Sequence, residues 1–131
     1  MRALRTFGME IDVIAPRVSL PAYLPTRVLF NETLRWRRFD CEATIGIDAD
    51  GYSIVGNGRR WNRRPHVACI KGVLGDAVRF ERGATRTSMA IQARLEAMHA
   101  RRADLVITVS RYCAERLEEL SASRMQSWCP S

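Results

Sequence analysis

Three short polar stretches each follow an apolar run. The turn from Asp48 to Gly51 follows "ATIGI", Lys71 and Gly72 follow "HVACI", and Ser110 and Arg111 follow "LVITV". Carboxylates, an ammonium, a hydroxyl and a guanidinium make a hydrogen-bonding set suited to a polyhydroxylated or anionic ligand. Lys71 is the candidate catalytic group. It offers positive charge to a phosphate or a developing anion, and serves as a neutral base only if desolvated. Gly72 either lets a ligand approach the backbone or simply makes the turn. Asp48, Asp50 and Gly51 either accept hydrogen bonds from ligand hydroxyls or form an Asx-turn with a glycine at positive φ. Ser110 either only caps the next helix or helps its amino end hold an anion. Arg111 either pairs with a phosphate or lies in solvent.

Positioning these residues requires alternating strands and helices. "EIDVIAP" (10–16) reads as a strand stopped by Pro16. Residues 2–7 read as the tail of a helix closed by Gly8. "VSLPAYLPT" holds two prolines and reads as an extended loop, and 27–39 as an amphipathic helix. Further strands fall at 43–48, 66–72 and 105–109. A long helix lies between the last two, with Ile91, Leu95 and Met98 on one face and a run of alanines beside it. Asp76 and Glu81 suit the amino end of that helix. A last helix begins at Arg111, and 121–131 shows no strand pattern or obvious helix. This alternation predicts an α/β fold: a Rossmann-like parallel sheet covered by helices on both faces. In such sheets the carboxyl ends of the strands form the ligand rim.

Composition narrows the rest. A chain of 131 residues, 47% hydrophobic and 27% charged, fits one globular domain. No apolar run reaches membrane-spanning length, and the amino terminus lacks a signal-peptide pattern, so a cytoplasmic protein is expected. The net charge of +7 is concentrated in "RWRR" (35–38) and "RRWNRR" (59–64). Such patches suit an anionic membrane surface or are simply solvated, and no nucleic-acid-binding signature accompanies them. Four scattered cysteines and two histidines contain no CxxC pair, so no metal site is expected. Cys69 reads as a small buried hydrophobe, and His99 as a surface or internally satisfied histidine. Neither a Ser/His/Asp triad nor a glycine-rich dinucleotide loop can be assembled.

The ordered segments "GIDADGY" (46–52), "PHVACIKGVLGDAVRFE" (65–81) and "RRADLVITVSRYCAERL" (101–117) resemble the N-terminal half of the family 4 glycosyltransferases. The similarity covers most of residues 5–120. It implies one half of a GT-B fold: a partial Rossmann-like acceptor-side domain over 1–120, followed by an irregular tail over 121–131. It further implies a retaining, hexosyltransferase-like reaction with a nucleotide-sugar donor, a sugar or lipid-linked acceptor, and no metal or other cofactor. Asp48, Asp50, Gly51, Lys71, Gly72, Ser110 and Arg111 would line the acceptor side. Many relatives carry histidine where this chain has Lys71.

Against that pattern the chain is incomplete at both ends. The expected first strand with its glycine-rich loop, and the donor-binding domain, have no counterpart. The resemblance therefore implies a domain inactive alone, needing a donor-domain partner. The other reading is a non-catalytic binding or interaction module of the same fold. Without the first strand the sheet is expected to expose an apolar groove and unpaired edges, with poor solubility.

Overall fold

The computed structural model describes residues 8–17, 21–55 and 64–126. The helix tail expected at 2–7, and most of the "RRWNRR" stretch, lie outside the described residues. The order is α1 (Tyr23–Arg35), β1 (Thr44–Ile47), a helical turn at 52–55, β2 (His66–Ile70), α2 (Leu74–Ala77) with a 3-10 turn (Val78–Phe80), α3 (Gly83–Arg102), β3 (Leu105–Thr108) and α4 (Arg111–Gln126).

The three strands form a parallel sheet in the order β1-β2-β3. The architecture is therefore α/β, as its alternating pattern implies. Register places Ile45 beside Val67 and Val67 beside Leu105. One residue pair along, Ile47 neighbours Cys69 and Cys69 neighbours Ile107. These six side chains point to one face and the alternate residues to the other.

The covered face holds the core. Ala68 and Ile70 of β2 pack with Ala100 of α3 and Leu117 of α4, and Val106 joins them. The opposite face is open: Ile45 is 62% exposed, Leu105 56%, and Ile47 and Ile107 48% each. The expectation of two covered faces therefore fails among the described residues. The reason is handedness. Parallel crossovers are almost always right-handed, so connections that advance steadily from β1 to β2 to β3 put their helices on one side. Cys69, expected to be buried, is half-buried on this open face. The expected apolar exposure is thus present, as a face rather than a groove.

Other boundaries differ for local reasons. Residues 10–16 form no strand, and Val13 is 56% exposed; a β-segment without a partner has no ladder to join. Helix α1 begins at Tyr23 and stops at Arg35, four residues ahead of the expected range. Pro25 is no obstacle, because it sits in the first turn, where N–H groups lack intrahelical partners anyway. Helix α4 continues to Gln126, through the first half of the expected irregular tail; no glycine or proline interrupts it before Pro130.

The buried side of α3 is centred on the alanines read as lying beside the expected face, with Leu95 and Met98 half-buried. Ala93, Glu96, His99 and Ala100 face inward, while Ile91 is 41% exposed. Asp76 does not cap α3. It lies in α2, where Arg116 holds it through Nε to Oδ2 at 2.9 Å and Nη2 to Oδ1 at 2.5 Å, and the Tyr112 hydroxyl donates to Oδ2 at 3.0 Å. Nor does Glu81 enter the first turn of α3, which carries no acid and no side-chain cap.

This fork ties α2 to α4, and it holds the Asp76 carboxyl down to about 2. A depressed carboxylate favours the fold above its ordinary value of 3.8, and the contribution fades as pH falls toward 2. Asp76→Asn should therefore lower the melting temperature at neutral pH, with the gap to wild type closing in strong acid. Leu117→Ala, which empties a core position, should cost about 2–5 kcal/mol in urea unfolding.

Candidate functional site

The candidate site is built on a buried chain of hydrogen bonds that runs from the amino end of the sheet to the turn after β1. His66 opens β2 and His99 lies on α3; they are 3% and 0% exposed. Their Nε2 atoms are 2.7 Å apart. The Nδ1 of His99 is 2.7 Å from the Asp48 carbonyl, and the Nδ1 of His66 is 2.7 Å from the Thr44 hydroxyl.

A carbonyl only accepts, so His99 carries its proton on Nδ1 and leaves Nε2 as an acceptor. His66 must then donate from Nε2, and its Nδ1 accepts from the Thr44 hydroxyl. Both imidazoles are neutral, and each tautomer follows from its neighbour. Burial, followed by the neighbouring His99, lowers His66 to about 4. Burial also lowers His99, against opposing pulls from the Asp48 hydrogen bond and the Asp50 and Asp48 charges. Asp104 is the charged group acting on His66: its Oδ2 accepts the His66 backbone N–H at 2.9 Å, at the start of the ladder.

Gly46 makes this possible. A Cβ there would stand 2.3 Å from the Asp50 carbonyl and 2.6 Å from Cε1 of His99. The glycine in the middle of "TIGID" is therefore the space occupied by the histidine ring.

The turn after β1 rests on this pair. Asp48 adopts φ +54 and Gly51 φ +115. Asn31 of α1, fully buried, organises the turn. Its Oδ1 accepts the Gly51 N–H at 2.8 Å, and its Nδ2 donates to Asp50 Oδ1 at 3.0 Å. Its backbone carbonyl accepts the Ser53 hydroxyl at 2.5 Å. Arg27, one turn earlier, reaches Asp50 at 2.8 Å. Burial raises the Asp50 carboxyl despite Arg27 and Asn31, which favour its charged form.

At the rim, Asp48 meets Lys71. Asp48 Oδ1 accepts the Lys71 backbone N–H at 2.9 Å, and Lys71 Nζ lies 3.5 Å from Oδ2. The ends of two adjacent strands thus converge on one ion pair, with Lys71 and Gly72 both exposed. An added Cβ on Gly72 would meet nothing within 4 Å.

The other proposed rim residues serve local structure. Ser110 Oγ accepts the Cys113 N–H at 3.2 Å and caps α4. Arg111 pairs with Glu115 on its own helix and is 94% exposed along its side chain. Gly51 is buried under the turn. The structure therefore brings Asp48 and Lys71 into contact, with Gly72 next in the chain. Asp50 is tied toward α1, and Ser110 and Arg111 stand at the end of β3.

Sequence reasoning missed three groups. Asn31, His66 and the buried Glu96 are polar residues inside apolar elements, and their roles depend on partners far along the chain. Glu96 is 2% exposed. Its Oε1 accepts the Leu74 N–H at 3.1 Å, filling the place of the side-chain cap that α2 lacks. Its Oε2 has no hydrogen-bond partner among the described residues. Burial raises its carboxyl to about 7. His99 belongs to the satisfied class anticipated for it. The lone strand glycine, Gly46, was the one available sign of a close approach.

Among the described residues, no cluster of three or more His, Cys, Asp or Glu side chains could hold a metal ion. No helix among them is long and apolar enough to cross a membrane. No protein-family model matches the chain, and no curated protein or solved structure matches it either.

The buried acid and the histidine pair act on stability with opposite sign. A lowered histidine favours the fold above 6.5, and this is lost as pH falls through about 4. A raised carboxyl favours the fold below 4.5, and this is lost as pH rises through about 7. The two slopes oppose each other between 4.5 and 6.5. Glu96→Gln should raise the melting temperature relative to wild type above pH 7 and lose that advantage below pH 4.5. Separately, Asn31→Ala leaves the buried Gly51 N–H unpaired and should cost about 1–3 kcal/mol in chemical denaturation.

Proposed function

We propose that this chain is the acceptor-side, Rossmann-like half of a retaining glycosyltransferase with a GT-B architecture. The carrying observation is the meeting of Asp48 and Lys71 from adjacent parallel strands at the carboxyl rim. Three further features support the reading: strands following one another in the sheet in sequence order, ligand-type side chains at the strand ends, and the resemblance of the three segments that carry them.

In this reading Asp48 accepts hydrogen bonds from acceptor hydroxyls, while Asp50 braces the turn through Arg27 and Asn31. Lys71 supplies positive charge to a phosphate of the acceptor or of the incoming donor. Gly72 leaves room for a close approach. The nucleotide-sugar donor comes with a second domain. Transfer requires donor and acceptor carbon and oxygen held within near-attack distance, which one rim does not achieve. The chain by itself therefore binds without turnover. Its place is the cytoplasm, with the inner face of the membrane as the source of a lipid-linked acceptor.

The alternative is a non-catalytic interaction module with the same fold, favoured by the open apolar sheet face. Backbone NMR separates the two. Titration with D-glucose, myo-inositol and glucose 1-phosphate should shift the amides of Asp48, Lys71 and Gly72, and Asp48→Asn combined with Lys71→Ala should remove those shifts. Silence at all three residues favours the interaction module. Measurable sugar transfer by the isolated chain would contradict the inactivity proposed for it.

A further inference from the structure

Helix α2 is joined to β2 by a bridge of Lys71, Gly72 and Val73. Two carboxyl groups grip this bridge, one at each end. Asp48 Oδ1 accepts the Lys71 N–H at 2.9 Å, and Glu96 Oε1 accepts the N–H of Leu74, the first residue of α2, at 3.1 Å. Between the grips, Lys71 and Gly72 are exposed. The two acids differ in setting. Asp48 is partly exposed, with the Lys71 ammonium beside it. Glu96 is 2% exposed, and its Oε2 has no hydrogen-bond partner among the described residues.

The charge that acts on Glu96 is that of Asp48, on the turn after β1, and it has the same sign. Lys71, on the bridge, is paired with Asp48. Asp76 of α2 is held by Arg116 and Tyr112 of α4, and Arg79 of the 3-10 turn acts on Asp76. His99, one turn along α3, is neutral. The Leu74 N–H favours an ionised Glu96, but burial outweighs it. An ionised Glu96 is therefore a buried anion with one hydrogen bond and a like-charged neighbour, whereas the protonated acid is compatible with burial.

We propose that Glu96 is a proton-operated latch on the bridge. The protonated acid holds Leu74 and keeps Lys71 and Gly72 at the rim. The ionised acid takes up water, for which the segment resting on it moves aside, and the amino end of α2 is released. Opening is thereby linked to the proton. The carboxyl has its ordinary value of 4.5 when open and about 7 when closed. Opening is then constant below 4.5, grows about tenfold per pH unit up to about 7, and is level above, with a ceiling of roughly 300-fold. If the rim is the acceptor site proposed above, it holds ligand best in mild acid. That consequence rests on the acceptor reading; the latch does not.

Amide hydrogen exchange of the full chain, followed by NMR from about pH 4 to about pH 8.5 and corrected for intrinsic rates, tests the latch with no ligand present. Leu74 should lose protection relative to the β2 amides as pH rises from 4.5, by up to roughly 300-fold, and level off where the side-chain carboxyl carbon of Glu96 titrates. Glu96→Gln, which keeps an acceptor oxygen and never ionises, should hold Leu74 at one level throughout. A Leu74 profile that runs parallel to that of β2 at every pH overturns the proposal, because no local opening is then taking place. So does a pH dependence that Glu96→Gln leaves unchanged. Should that variant fail to fold, the wild-type profile decides: levelling at a pH other than the midpoint of the Glu96 carboxyl carbon overturns the latch.

Discussion

The structure depends on two neutral histidines buried edge to edge. His66 begins the central strand and His99 comes from the helix that covers it, and their chain of bonds runs from Thr44 to the Asp48 carbonyl. Four polar groups from β1, β2, α3 and the first turn satisfy one another without net charge. A buried polar group costs little only when its partners are all present. The chain therefore specifies a single arrangement: β1 beside β2, α3 above both, and the Asp48 backbone held at positive φ. Gly46 is part of the same arrangement, because the ring of His99 occupies the volume a side chain would need.

From that base the turn after β1 is braced from the other side by Asn31, and its first carboxylate is turned outward. Asp48 holds the backbone and the ammonium of Lys71, so the rim chemistry is built on the same turn that satisfies the core histidine. The core and the rim share one residue here. The Asp48 carbonyl belongs to the core, and the Asp48 carboxylate belongs to the surface. Deeper in, Glu96 substitutes for a missing helix cap, and its burial keeps a proton on the carboxyl near neutrality.

Among the described residues the sheet is covered on one side. Helices α3 and α4 pack on the face where Ala68 and Ile70 are fully buried, and alternate residues of the same strands remain in contact with solvent. Strands read in isolation suggest burial on both sides, because Ile45, Val67, Cys69 and Ile107 are as apolar as the residues between them. Composition along a strand reports how much burial is available, while crossover direction decides which face receives it.

The sequence by itself determined the α/β class, the three strands, α3 and the start of α4. These rest on local terms: β-branched runs, helix periodicity, and Ser110 as a cap. It also put Asp48 and Lys71 at strand ends, where adjacent parallel strands bring them together. Only the tertiary structure decided that 10–16 stays unpaired, that α3 turns its small and polar side inward, and that Asp76 bridges two helices. It alone decided that two histidines 33 positions apart share a proton donor and an acceptor. Each of these outcomes depends on a partner distant in the chain. Propensity and periodicity act over a few residues, whereas satisfying a buried polar atom depends on what the fold brings within 3 Å of it.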